Sequence, residues 1–161
     1  MKNSEQIEEF WREFCEVSGV DFETPYEFWY FHYHSEGAKR LADLVVSGKK
    51  KATTDLAEWN EAEDAEGAIV GGYNVITDFD GNPQCVVQMT EIRVMPFSEV
   101  DAQFAFDEGE GDQTLEYWRN AHRKYFTESL ELGFDSFESG VEFDESTPVA
   151  CKRFKLLFPT K

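Results

Sequence analysis

The spacing of apolar residues predicts three long helices. Apolar residues recur every three to four positions in "SEQIEEFWREFCEVSG", which Gly19 ends, and in "SEGAKRLADLVVSG", which Ser35 caps and Gly48 ends. A third segment, "TLEYWRNAHRKYFTESLELG", has the same period, with Thr114 or Asp112 as its N-cap. The predicted buried faces of the first two helices comprise Ile7, Phe10, Trp11, Phe14 and Val17, and then Ala38, Leu41, Ala42, Val45 and Val46.

Alternating and β-branched segments predict the strands. "KATTDL" is typical of a short strand, and "VACKRFKLLF" predicts a final one. Residues 73–79 alternate, "DFDGNP" supplies turn residues, and residues 85–94 are rich in β-branched side chains, which together predict a hairpin. We expect "DFETPYEFWYFHYHSEG" to be a connector or short helix, "AEWNEAEDAEG" an acidic helix or loop, and "PFSEVDAQFAF" a short helix capped by Ser98.

These elements predict a single α+β domain with a mostly antiparallel sheet or small barrel and helices around it. The length of 161 residues suits one domain, and no internal repeat or composition break divides it. Three widely spaced cysteines argue against a disulfide framework and favour a reduced, cytoplasmic setting. No apolar run reaches the roughly 18 residues of a membrane span, so we expect no membrane association.

The net charge of the chain argues against some classes of binding partner. The 15 basic and 33 acidic residues give a net charge of −18, which repels nucleic-acid backbones and argues against binding to duplex DNA. Eleven of the basic residues nevertheless fall in three groups, and such grouping is typical either of a locally positive pocket or of solvated helix ends and strand edges. The groups are Lys39, Arg40 and Lys49, Lys50, Lys51; Arg119, Arg123, Lys124; and Lys152, Arg153, Lys155.

The first group contains a possible catalytic pair, Lys50 and Thr53, directly after the predicted helix end. In a regular strand these positions would face opposite sides, so their convergence requires a turn. A lysine whose pKa is lowered by burial or by neighbouring cations can act as a base and activate a hydroxyl. The acidic loop "DEGEGD" offers Glu108 and Glu110 as carboxylates, although anions are also favoured before a helix N-terminus.

Several motifs together resemble one known family. "SGKKKATTDL" has the G-x-K-x-x-T pattern of the ASCH domain, which belongs to the PUA-like superfamily, and "GGYNVITDFDGNP", "MPFSEV", "DEGEGDQTLEYWRNAHRKYF" and "VACKRFKLLF" are similar to its longer bacterial subfamily. The resemblance covers roughly residues 25–158, so we interpret residues 1–24 as an N-terminal helical extension and 25–161 as the domain. It implies a PUA-like small β-barrel flanked by helices, with a cleft where the signature meets the barrel mouth.

The resemblance also implies RNA-linked chemistry. Some small ASCH proteins are amidohydrolases that remove the acetyl group of N4-acetylcytidine with a Thr-Lys-Glu set. By motif, Thr53 would be the nucleophile, Lys50 its activating partner and Glu110 the carboxylate, with Glu108 as the alternative. A longer member is regarded as a metal-assisted ribonuclease, and others are thought to be RNA-binding modules. We therefore expect a modified nucleoside or short single-stranded RNA as partner, with no cofactor unless a ribonuclease uses a divalent metal.

Further residues are predicted to contact the substrate. Lys51, where family members commonly have Thr, would bind a phosphate, and Trp59 and Tyr73 would stack a base unless they are core residues. Arg119 and His122 are expected to line the pocket. His32 and His34 have the spacing of a strand metal pair, but no third ligand is evident, so packing or a surface position is favoured.

Overall fold

The computed structural model describes residues 4–31, 35–57, 69–131 and 143–159. The helices are α1 (Ser4–Ser18), α2 (Ser35–Val46), α3 (Ala102–Glu108) and α4 (Leu115–Glu131), with a 3-10 turn at Phe97–Glu99. The strands are β1 (Tyr26–Tyr30), β2 (Ala52–Leu56), β3 (Tyr73–Thr77), β4 (Pro83–Pro96) and β5 (Pro148–Phe158). The three long helices, the hairpin and the final strand are therefore confirmed.

The strands form one curled sheet in the order β1-β3-β4-β5-β2. β1 pairs with β3 in parallel, and the other three pairings are antiparallel. The predicted α+β class with a mostly antiparallel sheet is confirmed. Within the described residues the sheet is a half-barrel with β1 and β2 at its edges, rather than a closed barrel.

Helices cover both faces of the sheet. Helix α1 buries Ile7, Trp11 and Phe14 against Val75 and Val86. On the opposite face, α2 packs its apolar side on a cluster from β3, β4 and β5 that consists of Ile76, Cys85, Val87, Met89 and Phe154. The apolar periodicity that predicted the helices therefore also gave most of their buried faces. Phe10 and Val46 are only partly buried, and Val17 is 69% exposed. The division of the chain after residue 24 stays a prediction.

Two elements differ from the sequence-based expectation. Residues Tyr26–Tyr30 form a strand, because the aromatic side chains that hid any alternation fit a pleated surface and the backbone pairs with β3. Ser98 does not cap a helix; it lies in the 3-10 turn. The helix begins after Asp101, whose carboxylate accepts from the backbone N–H of Phe104 at 2.9 Å.

A third apolar cluster joins α3, α4 and the far end of the sheet. It includes Ala52, Leu56, Phe97, Phe104 and Trp118. Helix α4 begins as predicted at Thr114, whose hydroxyl accepts from the N–H of Tyr117 at 3.1 Å. This packing holds the acidic loop between α3 and α4 against the start of β2. Among the described helices, none is long and apolar enough to cross a membrane.

Candidate functional site

The lysine run lies between three elements that fix its backbone. Helix α2 ends at a left-handed Gly48 (φ 86°), and the N–H groups of Lys49 and Lys50 both donate to the Leu44 carbonyl, at 3.1 and 3.0 Å. The Lys51 N–H donates to the Asp107 carbonyl at 2.7 Å, and its own carbonyl accepts from the β5 backbone at 3.1 Å. This turn precedes Lys50 and points its side chain toward the end of α3. No hydrogen bond joins Lys50 to Thr53 among the described residues, so their convergence stays a prediction.

Glycine allows the acidic loop to approach this run. Gly109 ends α3 with φ 69°, and a Cβ at that position would overlap the carbonyl oxygen of Lys49. The close approach places the carboxylates on either side of this glycine, Glu108 and Glu110, on the same ammonium group. The "EGE" triplet is thus a structural requirement for two carboxylates to converge on Lys50.

Lys50 is buried, and its ammonium is held by three acceptors. Its Nζ donates to Glu108 Oε1 at 3.0 Å, to Glu110 Oε2 at 2.9 Å and to the Glu108 carbonyl at 3.3 Å. Burial lowers the pKa of Lys50, but the charges and hydrogen bonds of Glu110 and Glu108 outweigh burial, and the pKa lies above its usual value. The expected lowered pKa is therefore wrong in direction, and Lys50 is an ammonium donor.

Glu108 is the centre of the cluster and is only 1% exposed. Besides Lys50, it accepts on Oε2 from Thr54 Oγ1 at 2.7 Å, from Trp118 Nε1 and from His122 Nε2 at 3.3 Å. Burial raises the pKa of this carboxyl, but Lys50, His122 and the hydrogen bonds hold it well below its usual range. Both of its oxygens are occupied by donors.

His122 supplies the second positive charge. Its Nδ1 lies 2.9 Å from the Trp118 carbonyl and its Nε2 lies 3.3 Å from Glu108, so both ring nitrogens face acceptors. Burial lowers the pKa of His122, but the Glu108 charge and hydrogen bond raise it above its ordinary value. The ring also stacks on Trp118, with centroids 4.3 Å apart. This geometry favours the imidazolium form.

The cluster does not fit a resident divalent metal. Glu108, Glu110 and His122 each offer a ligand atom, and these atoms lie within 4.8 Å of one another. However, the Lys50 ammonium already bridges both carboxylates, and the Glu108 oxygens are filled by donors. With Lys50 and His122 as cations, the two carboxylates are neutralised. An ion would have to displace Lys50, whose ammonium takes the place of the metal.

The two adjacent threonines of β2 point in opposite directions. Thr54 shares the buried face of Ala52 and Leu56, and its hydroxyl is committed to Glu108. Thr53 lies on the other face, is partly exposed, and its hydroxyl has no hydrogen-bond partner among the described residues. Thr54 was not predicted as a site residue, although the two-residue period of a strand lined by apolar residues points it inward. No polar role was predicted for Trp118, which lies one helical turn before His122.

The remaining predicted substrate contacts are scattered. Lys51 has an exposed side chain, and Tyr73 packs under α1, 5.6 Å from the Trp11 ring centroid. Arg119 Nη2 donates to the Ser98 carbonyl at 3.2 Å, and no ion pair joins Arg119 to Glu108 in the described part of the chain. Trp59, together with His32 and His34, lies outside the described residues.

Part of the grouped positive charge is neutralised by ion pairs within the protein. Lys152 pairs with Asp55 at 2.7 Å, and Arg153 pairs with Asp107 and with Glu91. In the second group, Arg123 pairs with Glu145 at 2.8 Å, and in the first, Lys39 pairs with Asp43 at 2.8 Å. With Lys50, five of the eleven grouped basic residues are thus paired, and the other six have no ion pair among the described residues.

Comparison with known proteins bears on the family and on the fold. The family model described as ASCH domain matches residues 27–157. The ASCH domain of Lactobacillus crispatus JV V101 is similar, with 31% identity, a TM-score of 0.76, and coverage of 92% of this chain and 94% of that one. A protein of Enterococcus faecalis V583 is 29% identical, with a TM-score of 0.79 and coverage of 94% and 88%. A hypothetical protein at 16% identity and a TM-score of 0.52 shares the fold alone. No curated protein matches significantly.

Proposed function

The chain belongs to the ASCH domain family, and on that premise we propose that it is a hydrolase that cleaves the amide of an acylated nucleoside of the N4-acetylcytidine type. One observation carries the proposal. A buried ammonium, Lys50, is fixed between a saturated carboxylate, Glu108, and a second carboxylate, Glu110, that is partly exposed. Preorganised charge next to an accessible base is what acyl transfer requires.

The two glutamates support different roles. Glu108 is a positioning residue, because its oxygens are occupied by donors and its lowered pKa keeps it anionic. Glu110 is 18% exposed, and Lys50 holds its Oε2. Its Oε1 has no partner among the described residues, so it can accept a proton from a nucleophile. This favours Glu110 over Glu108 as the catalytic carboxylate.

In the proposed reaction, the Thr53 hydroxyl oxygen attacks the acetyl carbonyl. Because Thr53 lies on the opposite face of β2 from Thr54 and makes no hydrogen bond to Glu110, its proton would reach Glu110 through one bound water. Lys50 stabilises the oxyanion by donating a hydrogen bond to it. This bond replaces the longest hydrogen bond of Lys50, the 3.3 Å contact with the Glu108 carbonyl. Collapse breaks the C–N bond, and the proton on Glu110 passes to the leaving amine of cytidine. Water then attacks the acetyl ester, with Glu110 again as base, and releases acetate and the free threonine.

The threonine pair provides a matched test. Purified protein is incubated with N4-acetylcytidine and, separately, with a short single-stranded RNA, and acetate, cytidine and RNA fragments are quantified for wild type, Thr53→Val and Thr54→Val. We expect acetate and cytidine from the wild type, and loss of at least about 100-fold in Thr53→Val. Thr54→Val should retain more activity and lose stability. RNA fragments without acetate would support a ribonuclease instead, and RNA binding without either product would support a non-catalytic module.

A further inference from the structure

A second buried lysine lies on the same strand pair as Thr53. Lys152 of β5 is the cross-strand partner of Thr53 in β2, so both side chains project from the same face of the sheet. Its side chain is only 6% exposed. Buried lysines are rare, and they require a partner or a function.

The ammonium of Lys152 makes fewer hydrogen bonds than it can donate. It donates to Asp55 Oδ2 at 2.7 Å, and this is its only hydrogen-bond acceptor among the described residues. An ammonium carries three N–H donors, and the Lys50 ammonium has three acceptors. Lys152 therefore keeps donor capacity on the face that carries the Thr53 hydroxyl.

The same face connects Lys152 with Lys50. Two residues after Lys152 on β5, Phe154 packs in the cluster that also contains Phe31. The Nζ of Lys50 lies 5.3 Å from the centroid of the Phe31 ring. Thr53 and Lys152 therefore share one face of the sheet, and an apolar cluster that contains Phe154 and Phe31 connects this face with Lys50.

We propose that Lys152 and Asp55 form a substrate-recognition pair of this site, which binds a carbonyl oxygen of the nucleoside base to Lys152 and a neighbouring N–H or O–H group to Asp55. The Asp55 side chain is 38% exposed and can be reached from solvent, whereas the Lys152 side chain is 6% exposed. The inference rests on the proposed function for the reaction that follows binding, but not for binding itself.

The charge of the Lys152–Asp55 pair determines whether it binds a carbonyl oxygen or a phosphate oxygen. Because Asp55 neutralises Lys152 at 2.7 Å, the pair has no net charge, and its exposed member would repel a phosphate. A neutral carbonyl accepts a hydrogen bond from Lys152 without that repulsion. The paired donor and acceptor therefore complement a base edge, not an RNA backbone.

The variants Lys152→Met and Asp55→Asn test the proposal, with Lys155→Met as a matched control. Lys155 lies on the same strand, is exposed, and has no ion-pair partner among the described residues. For N4-acetylcytidine hydrolysis, we expect Lys152→Met to raise KM about 10- to 100-fold, since a hydrogen bond from a charged donor is lost, with a smaller change in kcat. Asp55→Asn should change KM in the same direction, and Lys155→Met should match wild type.

A binding measurement separates this inference from the proposed function. Dissociation constants for cytidine and N4-acetylcytidine are measured by calorimetry on the same proteins, beside their urea denaturation. If wild type binds either nucleoside and Lys152→Met weakens it about 10-fold or more, the inference holds even when no hydrolysis occurs. If wild type binds and Lys152→Met binds equally well while only its stability falls, the pair is structural and the inference is overturned. If wild type binds neither nucleoside, both proposals are overturned.

Discussion

The substitution Glu108→Gln perturbs the centre of the site while keeping its shape. The carboxylate of Glu108 accepts hydrogen bonds from Lys50, Thr54, Trp118 and His122, and it is 1% exposed. An amide has one acceptor oxygen and one donor nitrogen. Whichever way it is oriented, its NH₂ group faces groups that are themselves donors, and two buried cations lose their shared counter-charge.

The expected cost follows from this burial. Removing one partner of a buried ion pair typically destabilises a protein by about 3–5 kcal/mol, because a charge is left buried and unpaired. Glu110→Gln is the matched control. Glu110 is 18% exposed and contributes one contact to Lys50, so its loss should cost about 1 kcal/mol, as for a solvent-screened pair.

Urea denaturation followed by tryptophan fluorescence and by circular dichroism measures both changes. With a slope of roughly 2 kcal/mol per molar urea, Glu108→Gln should lower the midpoint by about 1.5–2.5 M and Glu110→Gln by about 0.5 M. If Glu108→Gln lies within about 1 kcal/mol of wild type, or if Glu110→Gln is the more destabilising variant, the described network does not hold the site together.

Other predictions follow from the same contacts. Gly109→Ala should destabilise the protein by at least about 2 kcal/mol in urea denaturation, since the new Cβ overlaps the Lys49 carbonyl at a positive φ; unchanged stability would contradict the close approach. Trp118→Phe should lower the midpoint by loss of the bond to Glu108 while the ring stack persists, and an unchanged midpoint would contradict that bond. His122 has a raised pKa, so its stabilisation is complete below 6.5 and is lost as pH rises through the folded-state pKa. Thermal unfolding of wild type should show a melting temperature that falls as pH rises through this range. An equally steep fall in His122→Gln would contradict the role of His122.

Local periodicity predicted most of the fold. The apolar faces of α1 and α2 follow a helical period, and the turn residues 78–83 set the β3–β4 hairpin. The strand β1 was missed because "YEFWY" has no alternation of polar and apolar residues, and its pairing with β3 spans more than 40 residues of sequence. Parallel pairing between strands so far apart in sequence produces no local sequence pattern that would predict it.

Most residues of the site could be predicted from the sequence, but the contacts between them could not. The structure brings together Lys50, Glu108 and Glu110, which the motif gave, and His122, which was expected to line the pocket. Thr53, predicted as the nucleophile of the same set, makes no hydrogen bond to them among the described residues. The protonation of the four charged residues could not be predicted, because the pKa of each depends on the charges that folding places beside it. The contact between Lys152 and Asp55 joins residues 97 positions apart, so it has no sequence signature either.

The activity of Glu110→Gln on N4-acetylcytidine tests the central claim most directly. The variant keeps the shape of the side chain and removes the proposed base, and Glu110 lies at the exposed side of the Lys50 cluster. We predict that kcat/KM for acetate release falls by about 10²–10⁴-fold while the free energy of unfolding changes by about 1 kcal/mol. A variant that releases acetate at the wild-type rate would contradict the assignment of Glu110 as the catalytic carboxylate.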